Sequence, residues 1–228
     1  MTDNPDWWTK FAERIKDIWP ELWQATLETV YMVLASTTAS VVLGFALAVF
    51  MIMNHPQGLR PRPHVYHILD FAVNLVRSFP FIILLIAIQP FTRLVVGTTI
   101  GSTAAIVPLT IAAAPFAARV IEGSFLEVEH GVIEAARSFG ATNLQIVMRV
   151  LLPEALPSIA LNIAVIAITL LGYSAMAGVV GGGGLGDLAI KYGHYRFQGD
   201  VMLYAVIILL IIVEYLQLTS GKIYKRLR

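Results

Sequence analysis

Five stretches of this chain are apolar over the length of a lipid bilayer, and that decides its solvent before anything else. They are roughly residues 27–53, ending in VVLGFALAVFMIM; 68–91, around FIILLIAI; 99–121, TIGSTAAIVPLTIAAAPFAARVI; 155–178, ALPSIALNIAVIAITLLGYSAMAG; and 200–219, DVMLYAVIILLIIVEYLQLT. About 20 apolar residues in a helix cross the hydrocarbon core. Lipid offers backbone N–H and C=O groups no partner, so segments like these span as helices that satisfy themselves. Charged residues make up 14% of the 228, against about 25% in a soluble domain. The expectation is an all-α membrane protein with five transmembrane helices.

An odd number of spans puts the termini on opposite sides. Lys and Arg concentrate in cytoplasmic segments. With the C-terminus inside, segments 54–67, 119–154 and 220–228 hold nine of the sixteen basic residues: Arg60, Arg62, Arg119, Arg137, Arg149 and the four of the tail GKIYKRLR. The outer side holds six, Lys10, Arg14, Lys16, Arg93, Lys191 and Arg196. The expected orientation is N-terminus out, C-terminus in. Residues 1–26 lack the basic start and short apolar core of a secretory signal. Trp7, Trp8, Phe11, Ile15, Ile18 and Trp19 recur at roughly helical spacing, which predicts an amphipathic helix over 5–19 lying at the outer interface. The organisation expected is an outer-face segment over 1–26, a transmembrane domain over 27–219 and a basic cytoplasmic tail over 220–228. Net charge is +1 and there is no cysteine, so disulfides and thiolate chemistry are excluded.

The spans are interrupted. Pro80 and Pro90 fall in the second and Pro108 and Pro115 in the third, which is also rich in alanine. Small residues let helices approach closely, so these spans read as packed against protein. Arg77 is the sixteenth basic residue, and an ionisable group inside a span is a functional candidate. If the span begins near Ile68, Arg77 lies about 13 Å along it. If the span begins near Ser78, Arg77 snorkels to the inner surface, the depth favoured here. Asp70, seven residues earlier on nearly the same face, is its expected partner.

The third and fourth spans are joined by a cytoplasmic region, about 122–153, containing EAARSFGATNLQIVMRVLLPEALP at 134–157. A first helix is expected from about Glu127 to Phe139, with Gly140 at its left-handed stop. Thr142 fits the N-cap of a second short helix through Leu152, and Pro153 either ends that helix or fixes its exit angle. Val128, Val132, Ala135, Ala136 and Phe139 share one apolar stripe. Such a pair of helices lies flat beneath the membrane and fits a groove in a soluble partner. The same residues also fit an ordinary loop with a solvated charged face.

In this stretch the chain resembles the permease subunits of ATP-binding-cassette importers. Their cytoplasmic hallmark is Glu-Ala-Ala, three residues, Gly, nine residues, Ile, one residue, Leu-Pro. Here Glu134, Ala135 and Ala136 are followed by Gly140, then by Val150 in place of Ile, then by Leu152 and Pro153. RSFPFIILL (77–85), AAIVPLTIAAAPFAARVIE (104–122), LLPEALPSI (151–159) and LLGYSAMAGVVGGGGLG (170–186) are similar to the methionine-importer permeases, over roughly 30–220. The resemblance implies the type I importer fold in a bacterial inner membrane. It implies a second copy of this chain, two cytoplasmic ATPase subunits and an extracytoplasmic substrate-binding protein as partners. Glu134, Ala135, Ala136, Gly140, Leu152 and Pro153 would couple to the ATPase, whose nucleotide-driven closure turns the cavity outward. L-methionine is the implied cargo, with D-methionine as a further candidate. The alternatives are another small amino acid or related solute, or a membrane scaffold without transport.

Catalytic motifs are missing. No GxxxxGK[ST] occurs, so the chain does not cradle ATP by itself; no cofactor is expected beyond the ATP that the partner binds. GGGGLG at 181–186 matches GxGxxG without a preceding strand and reads as a loop at the outer mouth. GYSAM at 172–176 ends in Met176 where a nucleophile elbow needs Gly. The five histidines form no HExxH, and no metal site is expected. The chain is thus expected to be no enzyme, with no nucleic-acid partner. Tyr173 and Met176, three apart on one helix face, and Asn162 and Ser174 are the candidates for lining a substrate path; helix packing is their other reading.

Overall fold

A computed structural model describes residues 7–227, with side chains from Ile15 onward. The described residues fold into helices: α1 (Trp7–Asn54), α2 (Pro63–Arg77), α3 (Phe81–Ala87), α4 (Gln89–Val96), α5 (Ser102–Leu126), α6 (His130–Ser138), α7 (Asn143–Ile146), α8 (Leu152–Gly178), α9 (Gly184–Leu188) and α10 (Gly199–Leu227). Four segments are long and apolar enough to cross a membrane: Ile15–Asn54, Ser102–Leu126, Asn143–Gly178 and Gly199–Leu227. A fifth is broken, because α2 and α3 meet at 96°.

That break falls at Pro80, where the expected second span within 68–91 is interrupted, and the span is built from two helices. Pro80 is extended, at φ −59 and ψ 127, and stands just ahead of α3. Proline disfavours helical geometry in the residue before it and supplies no N–H, so α2 stops at Arg77. Pro90 then falls in the first turn of α4, where its missing donor costs little. Gly97, at φ +84, ends α4. Because α2 begins at Pro63 rather than near Ser78, Arg77 lies about 21 Å along the helix. The snorkelling position rested on a start near Ser78, which is not where the helix begins.

The 48-residue α1 runs unbroken from Trp7 to Asn54 with Pro20 inside it. At 1.5 Å per residue it is about 72 Å long, more than twice the ~30 Å hydrocarbon core. The helix expected over 5–19 is not a separate element from Trp7 onward, and its first two residues lie outside the described ones. Trp19, Trp23 and Tyr31 are about half exposed, as an interfacial aromatic belt requires.

The core is built on small residues where α1 crosses α5. A Cβ on Gly44 would lie 2.5 Å from Ala117 Cβ and 2.8 Å from the Ala118 nitrogen. Ala104, Ala105, Ala113, Ala117 and Ala118 are all buried along α5, so the two backbones meet with little between them. On one side of this contact Met32, Leu109, Ile166 and Leu170 are buried together; on the other, toward the connection between α5 and α8, Ala48, Ile121, Phe125, Ile146 and Leu151 are. Gly44→Leu is expected to push α1 off α5 and to cost about 3 kcal/mol, the upper range for overpacking. A drop in the thermal unfolding midpoint of the purified protein checks this; an unchanged midpoint contradicts the packing.

Of the two readings of Pro153, the helix end is not what the structure shows: Pro153 stands in the first turn of α8. Residues Val147–Leu151 form a π-helical turn that joins α7 to α8 without a stop. The carbonyl that an ordinary helix would aim at residue 153 belongs to Arg149, inside that widened turn. The extra residue moves it aside for the proline ring. A polar seam holds α8 to α5: Asn162 donates to Val120 O at 3.2 Å and to Ser124 Oγ at 2.9 Å.

Candidate functional site: a helical elbow and an aromatic cavity

The elbow between α5 and α8 is assembled by local backbone chemistry. Glu127–Glu129 turn the corner after α5, so α6 begins at His130 and not at Glu127. Gly140, at φ +80, occupies the left-handed position past the end of α6. Its N–H donates to Arg137 O at 2.9 Å, and the N–H of Ala141 donates to Ala136 O at 3.2 Å. These two bonds satisfy carbonyls that the helix end leaves open. Thr142 starts the next helix with a reciprocal cap: its N–H donates to Gln145 Oε1 at 2.8 Å, and its Oγ1 accepts from Gln145 N at 3.4 Å. Two caps within three residues make this corner rigid.

The elbow has an inner and an outer face. Val128, Ile133, Ala136, Ala141, Val150 and Leu152 pack on the core cluster of Ala48, Ile121, Phe125, Ile146 and Leu151. Arg137 ties the elbow to the loop after α1, donating to Leu59 O at 3.1 Å and Gly58 O at 3.4 Å. Val132, Ala135, Phe139, Leu144 and Met148 face outward, and Phe139 is 92% exposed. The single stripe expected from sequence is thus divided: Val128 and Ala136 turn in, while Val132, Ala135 and Phe139 form an uncovered apolar knob. Glu134 and Gly140 are exposed beside it, with Glu134 Oε1 3.2 Å from His130 Nδ1. Pro153 is exposed in the first turn of α8, below Leu152.

A second feature lies at the α2–α3 break. A cavity of about 340 Å³ is lined by Arg77, Phe79, Phe81, Phe116, Thr169 and Tyr173, among others. Phe81 and Tyr173 stack with ring centroids 4.5 Å apart. Tyr173 is the one path candidate in this lining. Met176 is 41% exposed outside it. Ser174 is buried and donates to Leu171 O, and Asn162 belongs to the α5–α8 seam.

Sequence reasoning missed a charge network near the end of α5 that leads into the elbow. Arg119 pairs with Asp70 of α2, and its Nη1 donates to Glu122 Oε2 at 2.9 Å and to Tyr66 Oη at 3.4 Å. Asp70 is therefore bound to Arg119 and not to Arg77. The spacing of Arg119 and Glu122 could have revealed that half of the network; nothing local pairs residues 70 and 119.

Residues 40–216 match the family model described as binding-protein-dependent transport system inner membrane component. The chain is 48% identical over 202 residues to the probable D-methionine transport system permease protein MetI of Vibrio cholerae, covering 89% of this chain and 90% of that protein. It is 42% identical over 203 residues to the methionine import system permease protein MetP of Bacillus subtilis, covering 89% and 91%. Among solved structures, an inward-facing MetNI methionine ABC transporter in its CY5 native crystal form superimposes with a TM-score of 0.91 at 42% identity. That alignment covers 93% of this chain and 98% of that one. With an uncovered apolar knob, a broken span and these likenesses together, the chain belongs to the family of binding-protein-dependent transport system inner membrane components, the multi-pass permease subunits of ABC importers.

Proposed function

We propose that this chain is half of the membrane path of an ATP-driven methionine importer. A second copy completes the path, two ATPase subunits grip the two elbows from the cytoplasm, and a binding protein delivers cargo to the outer face. The observation that carries this reading is the elbow itself, rigidly capped at Gly140 and Thr142 and presenting Phe139 at 92% exposure. An apolar side chain that size, uncovered in water, marks a protein contact. Its inner face packs against residues of α1 and α5 and, through the π-helical turn, continues into α8. A displacement of the knob is thereby delivered to three spans at once. The orientation is N-terminus out and C-terminus in, which places the elbow, the loop 55–62 and the basic tail together on the cytoplasmic side.

ATP carries the energy and is bound by the partner; this chain supplies the path and the handle. Closing of the ATPase pair draws the two elbows together and opens the cavity outward. The test is uptake of labelled amino acids by vesicles holding the whole complex. Accumulation of L-methionine that requires ATP and binding protein, and that D-methionine competes, is the expected result. Uptake that is indifferent to ATP, or an absence of methionine uptake, would overturn the proposal.

A further inference from the structure

We infer that Arg77 is the carboxylate-binding residue of the cavity, making it a subsite for a small zwitterionic amino acid with an apolar side chain. The inference rests on the reading of the chain as an amino-acid importer subunit and adds the residue that selects the cargo's charged end.

Three observations lead there. First, Arg77 lies far from either end of α5. Its guanidinium stands 5.8 Å from the Phe116 ring, and Phe116 is fourteen residues from the start of α5 and ten from its end. At 1.5 Å per residue that is about 21 Å and about 15 Å from the two ends, near the middle of a helix long enough to span. Second, its cation has no anion. The acid in helical register, Asp70, is held by Arg119, and among the described residues no carboxylate pairs with Arg77. A charged side chain within a span is expensive unless it pairs or lines a pathway. Third, the surroundings suit one class of ligand. The wall is aromatic, with Phe79, Phe81, Phe116 and Tyr173, and Arg77 is the sole charged residue in the lining.

A guanidinium binds a carboxylate through two parallel N–H donors, a geometry that a lysine ammonium cannot reproduce. Ring faces accept an ammonium group, and ring edges favour a thioether sulfur. The volume of about 340 Å³ lies at the small end of the roughly 300–1,000 Å³ usual for ligand sites. Without cargo, Phe116 holds the guanidinium by a cation–π contact that is weak enough to yield. Placement at the vertex of a broken span adds a way to release the ligand: a change in the angle between α2 and α3 carries Arg77 away from Phe81 and Tyr173.

The experiment uses the assembled permease–ATPase complex in vesicles, without binding protein, and photo-methionine as the probe. This diazirine analogue keeps the carboxylate. After irradiation, labelled peptides are identified by mass spectrometry. Label is expected in residues 76–84, 112–116 and 169–173, reduced at least tenfold in Arg77→Gln and about threefold in Arg77→Lys. Excess methionine should suppress the label in the wild-type protein, and methioninol, which lacks the carboxylate, should fail to do so. The methioninol arm needs no variant and decides the matter if Arg77→Gln misfolds. Equal suppression by methioninol, or label confined to other peptides, overturns the inference. Uptake with binding protein and ATP is measured on the same preparations. Uptake without the expected labelling refutes the Arg77 subsite alone, whereas absent uptake by the wild-type complex refutes methionine import itself.

Discussion

Arg119→Leu should destabilise the protein by roughly 3 kcal/mol, the low end of the cost of breaking a buried ion pair. Arg119 Nη1 donates to Glu122, whose side chain is 1% exposed. The second carboxylate oxygen of Glu122 has no hydrogen-bond partner among the described residues. Removing the guanidinium leaves Glu122 buried with no opposing charge. Arg119 and Asp70 are about a quarter to a third exposed, and that places the cost at the lower end. Glu122→Gln in the Arg119→Leu background should restore most of the loss, because it removes the stranded charge and keeps the shape. Asp70→Asn alone should cost about 1 kcal/mol or less, as partly solvated pairs do. Thermal unfolding midpoints of the four proteins check this. If the double variant is no more stable than Arg119→Leu, the cost does not come from an uncompensated Glu122.

Phe139→Asp should leave the permease folded and inserted while abolishing its work. The side chain touches little of its own chain, so its loss removes almost no packing. In the assembled importer it would be a buried anchor, and such anchors contribute about 2 kcal/mol or more. A loss of that size weakens the ATPase contact roughly 30-fold, and a carboxylate in its place adds a desolvation cost. The expected outcome is normal membrane yield, an unchanged unfolding midpoint, little ATPase recovered on co-purification and methionine uptake at least tenfold lower. Gly140→Val should act differently. Its Cβ would meet nothing within 4 Å, but φ +80 is strained for a β-branched residue, so it loosens the corner by about 1–2 kcal/mol and tilts the knob. Full uptake in Phe139→Asp would mean that the elbow is not the handle.

The sequence was most informative where structure is local. Apolar length alone located the four long spans, since lipid tolerates few alternatives to a helix. The Gly140 stop and the Thr142 cap were legible because each is made by residues within five positions of one another. Distant or competing effects were not legible. Pro153 could end a helix or fix its exit angle, and the end is avoided by one extra residue in the preceding turn, which no spacing announces. Pro80 was seen, but whether it kinks a span or divides it depends on what α3 finds to pack on; Phe81 and Leu85 are buried against the core, and that favours division. Asp70 had one arginine in its sequence neighbourhood, Arg77, and the fold brings it a different one, Arg119. The cavity was legible through Tyr173 alone, because Phe79, Phe81 and Phe116 read as span residues until the 96° bend brings them around Arg77. The stripe on α6 was right in composition and incomplete in use, since helical periodicity cannot say which part of a broad apolar face the protein itself covers.

The absence of cysteine makes the central claim directly measurable. A single Phe139→Cys substitution gives one thiol, at the tip of the elbow, for a membrane-impermeant maleimide. In inside-out vesicles holding the permease alone it should label rapidly, and in the presence of the ATPase subunits labelling should fall at least tenfold. Right-side-out vesicles should not label until they are permeabilised. Rapid labelling from the outside of sealed vesicles, or labelling unaffected by the ATPase, would contradict the account of this elbow as the handle that the motor holds.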